Sequence, residues 1–98
     1  MALMEISIVP IGTGGTSLSR HVAPVIKAIK DSGLSYKLHD MGTTVQGEAK
    51  ELFRLAAKLH EAMFTNDVKR VYTVIKLDDR RDRIVSIGQK AKSVEEKL

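Results

Sequence analysis

The chain has 98 residues, of which 43% are hydrophobic, and it carries a formal net charge of +4. This length predicts one small domain over residues 1–98, with a modest hydrophobic core. The absence of cysteine excludes disulfides and thiolate metal sites, and interleaved charges with only two Tyr and two Phe argue against nucleic-acid binding.

The first predicted element is a strand over Met4–Ile11, in which the side chains alternate between two faces. A glycine-rich loop, Gly12–Ser17, follows it and ends at a helix N-cap candidate, Ser17 or Ser19. The loop lacks the Gly-Lys-Ser/Thr ending of a P-loop and the glycine spacing of a dinucleotide-binding fold. It therefore does not predict a nucleotide site.

The first predicted helix begins after this loop and ends at Gly33. Pro24 lies inside it and is expected either to kink the helix or to move its regular part later, because proline removes one backbone donor. The apolar residues that recur at helical spacing are Leu18, Val22, Val25, Ile26 and Ile29.

Two short strands are predicted next, over Ser35–Gly42 and Thr43–Gln46, joined near Asp40-Met41-Gly42. The second helix is predicted over Glu48–Phe64, a segment rich in good helix formers. Its apolar stripe consists of Leu52, Leu55, Ala56, Leu59 and Met63.

The longest predicted strand begins at Lys69, and the run to Arg83 is expected to continue through a charged turn into a third helix from Asp82. We expect this strand to pair with the first one, so that Tyr72 and Lys76 share a sheet face with Glu5 and Ser7. The third helix, which Gly88 weakens, has the apolar residues Ile84, Ile87, Ala91, Val94 and Leu98.

This order of elements predicts an α+β fold, a ferredoxin-like βαββαβ sandwich with a four-stranded antiparallel sheet and an extra C-terminal helix. The expected strand order is fourth, first, third, second. The two crossover helices cover one face only. The other face, with Val9, His39, Tyr72 and Val74, is too apolar to remain alone, so we expect self-association through it.

Five segments occur in the order that is typical of the small thiamine-binding protein family. They are Pro10-Ile11-Gly12, Ser17 with Ser19, His39–Thr43, Gly47-Glu48 and Arg70–Asp82. The chain resembles this family over essentially its whole length. The resemblance implies a ferredoxin-like protein, assembled through its sheets as a homotetramer (a dimer of dimers), that binds thiamine or hydroxymethylpyrimidine without converting it and needs no cofactor.

A thiamine site needs polar groups for the aminopyrimidine edge, an apolar or aromatic wall, and an acid or π-face for the thiazolium cation. We favour the sheet end at Glu48, where the glycine-rich loop and Arg70 are also expected, with Tyr36 as the wall. The second possible location is the hairpin, with Asp40 and its neighbours beside Lys76 and Asp78. The candidate ligand-binding residues are Thr16, Ser17, Ser19, Tyr36, His39, Thr43, Thr44 and Glu48.

Each candidate also has a purely structural interpretation. The serines can be helix caps, Glu48 can stabilise a helix N-terminus, and the charged segment 78–83 can form salt bridges within itself. The three histidines lack metal-ligand or triad spacing, so neither a metal site nor a catalytic residue is predicted. The alternative functions are a regulatory or assembly protein that binds no small molecule and self-associates through the open face, and a small enzyme.

Membrane association is not expected from the sequence. No apolar stretch approaches the ~20 residues that a membrane-spanning helix needs, and the N-terminal residues do not show a signal-peptide pattern. We therefore expect a cytoplasmic protein.

Overall fold

A computed structural model of the protein describes residues 1–14, 19–65 and 67–98. Its elements are β1 (Ala2–Ile11), α1 (Ser19–Asp31), β2 (Tyr36–His39), β3 (Gly42–Gly47), α2 (Ala49–Met63), β4 (Arg70–Asp79) and α3 (Gln89–Glu95). All neighbouring strands are antiparallel, in the order β2-β3-β1-β4. The predicted ferredoxin-like α+β fold and its strand order are confirmed.

The hydrophobic core lies between one face of the sheet and helices α1 and α2. Met4 of β1, Ile29 of α1 and Leu59 of α2 are fully buried. Burying such a side chain contributes about 1.5–3 kcal/mol, which makes this layer the main source of stability. The predicted apolar stripe of α2 is buried in full, as Leu52, Leu55, Ala56, Leu59 and Met63.

The other sheet face is not covered by α1 or α2, and the C-terminal segment contacts it at the Ala2 end, through Gln46 and Asp78. β1 and β4 pair along their whole lengths, from Ala2–Asp79 to Ile11–Arg70. Tyr72 lies opposite Val9 and Lys76 opposite Glu5, so the shared face predicted for these residues is confirmed. The exposed apolar residues of this open face are Val9, Ile11, Tyr72 and Val74.

The boundaries of the second half of the chain differ in part from the prediction. α3 begins at Gln89 rather than at Asp82. Gly88, with φ +86°, precedes it in a left-handed conformation that interrupts helical propagation. The preceding segment is held in a non-helical path, because Val85 is buried and the backbone N–H of Ile87 donates to Oε1 of Gln46 at 3.1 Å.

The first half of the chain follows the prediction more closely. α1 is helical through Pro24, so the proline lies within the helix and does not delay its start. β2 ends at His39 because Asp40 and Met41 form the turn to β3. As a consequence, β3 pairs with β1 only from Ala2 to Ile6, although β1 continues to Ile11.

Candidate functional site

A cavity of about 300 Å³ lies between α1, the second half of β1 and the β2–β3 hairpin. This volume is at the lower end of the range of roughly 300–1,000 Å³ that small-ligand sites occupy. The wall is mainly aliphatic, with Ile6, Ile8, Val22, Val25, Ile26, Ile29, Leu38 and Met63. The hairpin completes it with His39, Asp40, Met41, Gly42 and Thr43.

The cavity exists because neighbouring strands differ in length. β1 has 10 residues and β3 has 6, and their last pair is Ile6–Thr43. Beyond this pair, no strand in the described part of the chain lies beside β1 on the β3 side, and residues of α1 line the resulting cavity. At Gly42 the hairpin backbone lies against β1 so closely that a Cβ atom would come within 3.0 Å of the Ile6 carbonyl oxygen.

The polar groups of the cavity are concentrated on the hairpin. Thr43 is buried at its inner side, whereas His39, Asp40 and Met41 are exposed and form its mouth. The His39 ring is hydrogen-bonded to Thr44, with Nε2 and Oγ1 at 2.9 Å, which limits its orientation. The site thus combines an aliphatic interior with a carboxylate at its entrance, a combination suited to a flat ligand with polar edges.

The predicted proximity of Glu48 to the glycine-rich loop is wrong. β3 runs antiparallel to β1, so Gly47 pairs with Ala2, at the start of β1 rather than at its end. The end of β1, at Ile11, pairs with Arg70. The two ends of a 10-residue strand are roughly 30 Å apart at about 3.3 Å per residue, so Glu48 lies far from Gly12, the first residue of the loop.

Tyr36 and Glu48 do share one end of the sheet, but not the end that holds the cavity. Tyr36 pairs with Val45 near the end of β3, and neither Tyr36 nor Glu48 lines the cavity. Glu48 is the N-cap residue of α2, and its backbone N–H donates to Oε1 of Glu51 at 3.4 Å. This arrangement satisfies a free donor at the helix start, which supports the structural interpretation of Glu48.

The charged segment 78–83 forms ion pairs among its own residues and with α3. Arg80 pairs with Asp82 at 2.6 Å, Arg81 pairs with Asp79 at 2.9 Å, and Lys90 of α3 pairs with Asp78. The hydrogen bond from Arg81 holds the pKa of Asp79 below its ordinary value. These contacts support the structural interpretation of the segment.

The segment also lies away from the hairpin. Asp78 pairs with Leu3, which in turn pairs with Gln46, so the expected position of Asp78 beside the hairpin cluster is wrong. Lys76 does lie in register with Glu5 and, through it, with Thr44. Both β3 and β4 run antiparallel to β1. Asp78 therefore lies two residues beyond Lys76, at the end of the sheet where Glu48 is, and not beside the hairpin.

The structure therefore brings together part of the predicted site. His39 and Thr43 line the cavity, and Thr44 contacts His39. Thr16 and Ser17 lie outside the described residues, and of Ser19 only the backbone, which begins α1, is described. The prediction of a ligand role for these three residues stays a prediction.

Sequence analysis did not identify the apolar lining as part of a site. Val22, Val25 and Ile26 were assigned only to the helix stripe, and Asp40 only to a secondary cluster. The hairpin does carry a signal, because Leu38 in a short exposed strand and Met41 in the turn after it are both apolar and exposed. Met41 is 87% exposed, so it does not serve the core.

Two further findings concern the described residues only. No group of three or more histidine and carboxylate side chains among them is close enough to hold a metal ion. None of the helices in ranges 1–14, 19–65 and 67–98 is long and apolar enough to cross a membrane.

Comparison with known proteins gives consistent matches over the length of the chain. Residues 4–95 match the family model described as thiamine-binding protein. The chain is 38% identical over 99 residues to a UPF0045 protein of Methanothermobacter thermautotrophicus, with 100% of both chains covered. It is 37% identical over 102 residues to a UPF0045 protein of Bacillus subtilis, covering 100% of this chain and 98% of the relative.

Its fold is also similar to that of solved structures. The crystal structure of a hypothetical protein from Methanocaldococcus jannaschii superposes with a TM-score of 0.85 at 33% identity, covering 97% of this chain and 96% of that one. A domain of unknown function from Bacillus cereus superposes with a TM-score of 0.79 at 27% identity, covering 91% of this chain and 85% of that one.

Proposed function

The chain belongs to the thiamine-binding protein family, and on this premise we propose that it binds thiamine or hydroxymethylpyrimidine, without converting it, in the cavity between α1 and the β2–β3 hairpin. The observation that carries this proposal is the cavity itself, an aliphatic slot of about 300 Å³ whose polar side chains lie mainly on the hairpin. A flat ring with a polar rim fits such a slot.

The lining residues have complementary roles in this proposal. The aliphatic side chains of α1 and β1 enclose the pyrimidine ring, and the Thr43 hydroxyl is available to one of its polar atoms. The thiazolium ring carries a positive charge and lies toward the mouth, near the carboxylate of Asp40. His39, oriented by Thr44, lies beside it. Thr16 and Ser17 belong to the segment between β1 and α1, the two elements that form the wall, and Ser19 begins α1. All three remain part of the proposed site.

The proposal includes a cytoplasmic homo-oligomer, a tetramer formed as a dimer of dimers through the open sheet face. Val9 and Tyr72 are opposite one another on this face, and both are more than one third exposed, at 37% and 58%. Val74 and Ile11 extend the apolar surface on the same two strands. A contiguous apolar surface of this kind is typical of an interface, and a second copy of the chain offers the same surface.

The alternative is the assembly protein without a small-molecule ligand, which the same open face also favours. Isothermal titration calorimetry separates the two functions. We expect saturable binding of one thiamine and of one hydroxymethylpyrimidine per chain. A flat titration with both ligands, for a protein that remains oligomeric, would contradict the binding function and favour the alternative.

The location of the site is tested with two matched variants. Asp40→Asn is expected to weaken binding of cationic thiamine about fivefold, corresponding to about 1 kcal/mol for an exposed charge, and to leave neutral hydroxymethylpyrimidine unaffected. Glu48→Gln removes a carboxylate at the other end of the sheet and is expected to bind both ligands as the unmodified protein does. A loss confined to Glu48→Gln would place the site at the α2 N-terminus instead.

A further inference from the structure

The cavity touches four consecutive residues of β1, Ile6, Ser7, Ile8 and Val9. Successive side chains of a strand point to opposite faces of the sheet, so a cavity on one face contacts only every second side chain. A cavity that contacts all four residues must also reach the edge of the strand, where the backbone is. The wall of the site therefore includes peptide groups of β1.

The orientation of these peptide groups follows from the contact at Gly42. The carbonyl oxygen of Ile6 points toward β3, because it lies 3.0 Å from the Cβ position of Gly42. In an antiparallel sheet, one residue directs its N–H and C=O to one neighbouring strand and the next residue directs them to the other. Ser7 and Val9 thus face β4, where they pair with Val74 and Tyr72. The N–H and C=O groups of Ile8 point to the β3 side of β1, beyond the last residue of β1 that pairs with β3.

Pro10 agrees with this assignment. It has the same orientation as Ile8, and because proline has no backbone N–H it is tolerated where a strand edge has no partner. Among the described residues, no strand pairs with this edge of β1 beyond Ile6–Thr43, so both the N–H and the carbonyl oxygen of Ile8 face the cavity there. A donor and an acceptor from one residue lie side by side at the cavity wall.

We infer that the peptide group of Ile8 recognises the aminopyrimidine edge of the ligand. The exocyclic amino group of this ring is a donor, and the adjacent ring nitrogen is an acceptor. The amino group donates to the Ile8 carbonyl oxygen, and the Ile8 N–H donates to the ring nitrogen, as a neighbouring strand would do. This inference rests on the proposed function and specifies its ligand class, 4-aminopyrimidines. A 4-oxo ring offers an acceptor and a protonated nitrogen at the same positions, so both contacts are lost.

Ile8→Pro tests this recognition directly. The substitution removes the N–H that faces the cavity and leaves the β4 ladder intact, because Ile8 does not donate toward β4. Ile8→Val is the matched control, since it shortens the side chain and keeps the N–H. By calorimetry with thiamine and hydroxymethylpyrimidine, we expect Ile8→Pro to bind both ligands at least tenfold more weakly than Ile8→Val. Equal binding by the two variants would overturn the inference.

Two measurements on the unmodified protein complete the test and do not depend on how the proline variant folds. The 4-oxo analogue of thiamine is expected to bind at least tenfold more weakly than thiamine. In an amide ¹H–¹⁵N spectrum, the Ile8 resonance is expected to shift and its hydrogen exchange to slow when hydroxymethylpyrimidine is added. An unchanged Ile8 amide with shifted Thr43 and Asp40 amides would overturn the inference and keep the site. No binding of any ligand would overturn the proposed function itself.

Discussion

The carbonyl oxygen of Ile6 lies 3.0 Å from the position that a Cβ atom on Gly42 would occupy. This contact marks the point where the β2–β3 hairpin leaves β1 and the cavity begins, because Ile6–Thr43 is the last pair between β1 and β3. The hairpin thus serves both the sheet and the proposed site. Its close approach depends on a residue without a side chain.

Gly42→Ala is expected to displace the hairpin, because the added methyl group meets a backbone atom that cannot move aside alone. We expect the free energy of unfolding to fall by about 1–3 kcal/mol, the range for overpacking, and thiamine binding to weaken. Urea denaturation and calorimetry measure the two effects. Met41→Ala, in the same hairpin at an 87% exposed residue, is the control and should keep its stability within about 0.5 kcal/mol. Equal stabilities of the two variants would show that Gly42 is not tightly packed.

The orientation of α2 is tested by two adjacent residues. Leu52 is fully buried and Phe53 is 57% exposed. We expect Leu52→Ala to lower the free energy of unfolding by about 2–5 kcal/mol, because it removes apolar contacts and leaves a cavity. Phe53→Ala should cost less than about 1 kcal/mol although it removes more atoms. The midpoint of urea denaturation provides the comparison, and a larger loss for Phe53→Ala would contradict the helix orientation.

Self-association through the open face predicts a specific sensitivity to charge. Val74→Glu places a carboxylate between Tyr72 and Lys76 on this face, and its desolvation in an interface between copies is costly. We expect sedimentation velocity to show a smaller species than for the unmodified protein. Phe53→Glu introduces the same charge on α2, away from the open face, and should leave the assembly intact. If both variants sediment as the unmodified protein does, the interface lies elsewhere.

Asp67 predicts an acid dependence of stability. Its pKa lies below the ordinary value of 3.8, mainly because Thr65 Oγ1 donates to it at 2.6 Å, with a smaller effect from Arg20 at 2.8 Å. A lowered folded-state pKa stabilises the fold above the unfolded pKa, and this contribution is lost as pH falls through the folded value. Asp67→Asn should therefore melt at a lower temperature at pH 7, and the difference should close as the pH falls below 3.8 and through the lower pKa of the folded state.

The double variant with Thr65→Val provides the control for this effect. Thr65→Val removes the donor that stabilises the charged form of Asp67, so it should lower the melting temperature on its own. Added to Asp67→Asn, it should have a smaller effect than on its own, since the charge that this hydrogen bond stabilises is already removed. Fully additive effects would show that the hydrogen bond does not determine the pKa of Asp67.

The fold could be predicted from the sequence because its signals are local and consistent. The alternation in β1 and β4 and the stripe of α2 each match one structural period, and the connections allow few topologies. α3 was predicted too long because Ile84 and Ile87 also match helical spacing. Burial of Val85 and the bond from Ile87 to Gln46, which hold this segment outside a helix, are tertiary contacts.

The site could be predicted only in part, for a geometric reason. The hairpin residues His39 and Thr43 were identified, but Glu48 was placed beside the glycine-rich loop as if β1 and β3 ended at the same side. In an antiparallel pair, the end of one strand lies at the start of the other. The cavity itself exists because β3 is shorter than β1, and the length of β3 depends on which residues form the hairpin turn. Short apolar segments in the sequence do not define the position of that turn.

The most direct test of the proposed site is a crystal structure of the protein with thiamine bound. We predict the pyrimidine ring between α1 and β1, with its amino group at the Ile8 carbonyl oxygen and the thiazolium ring near Asp40. Ligand density at the Glu48 end of the sheet, or an empty cavity in crystals saturated with thiamine, would contradict this account.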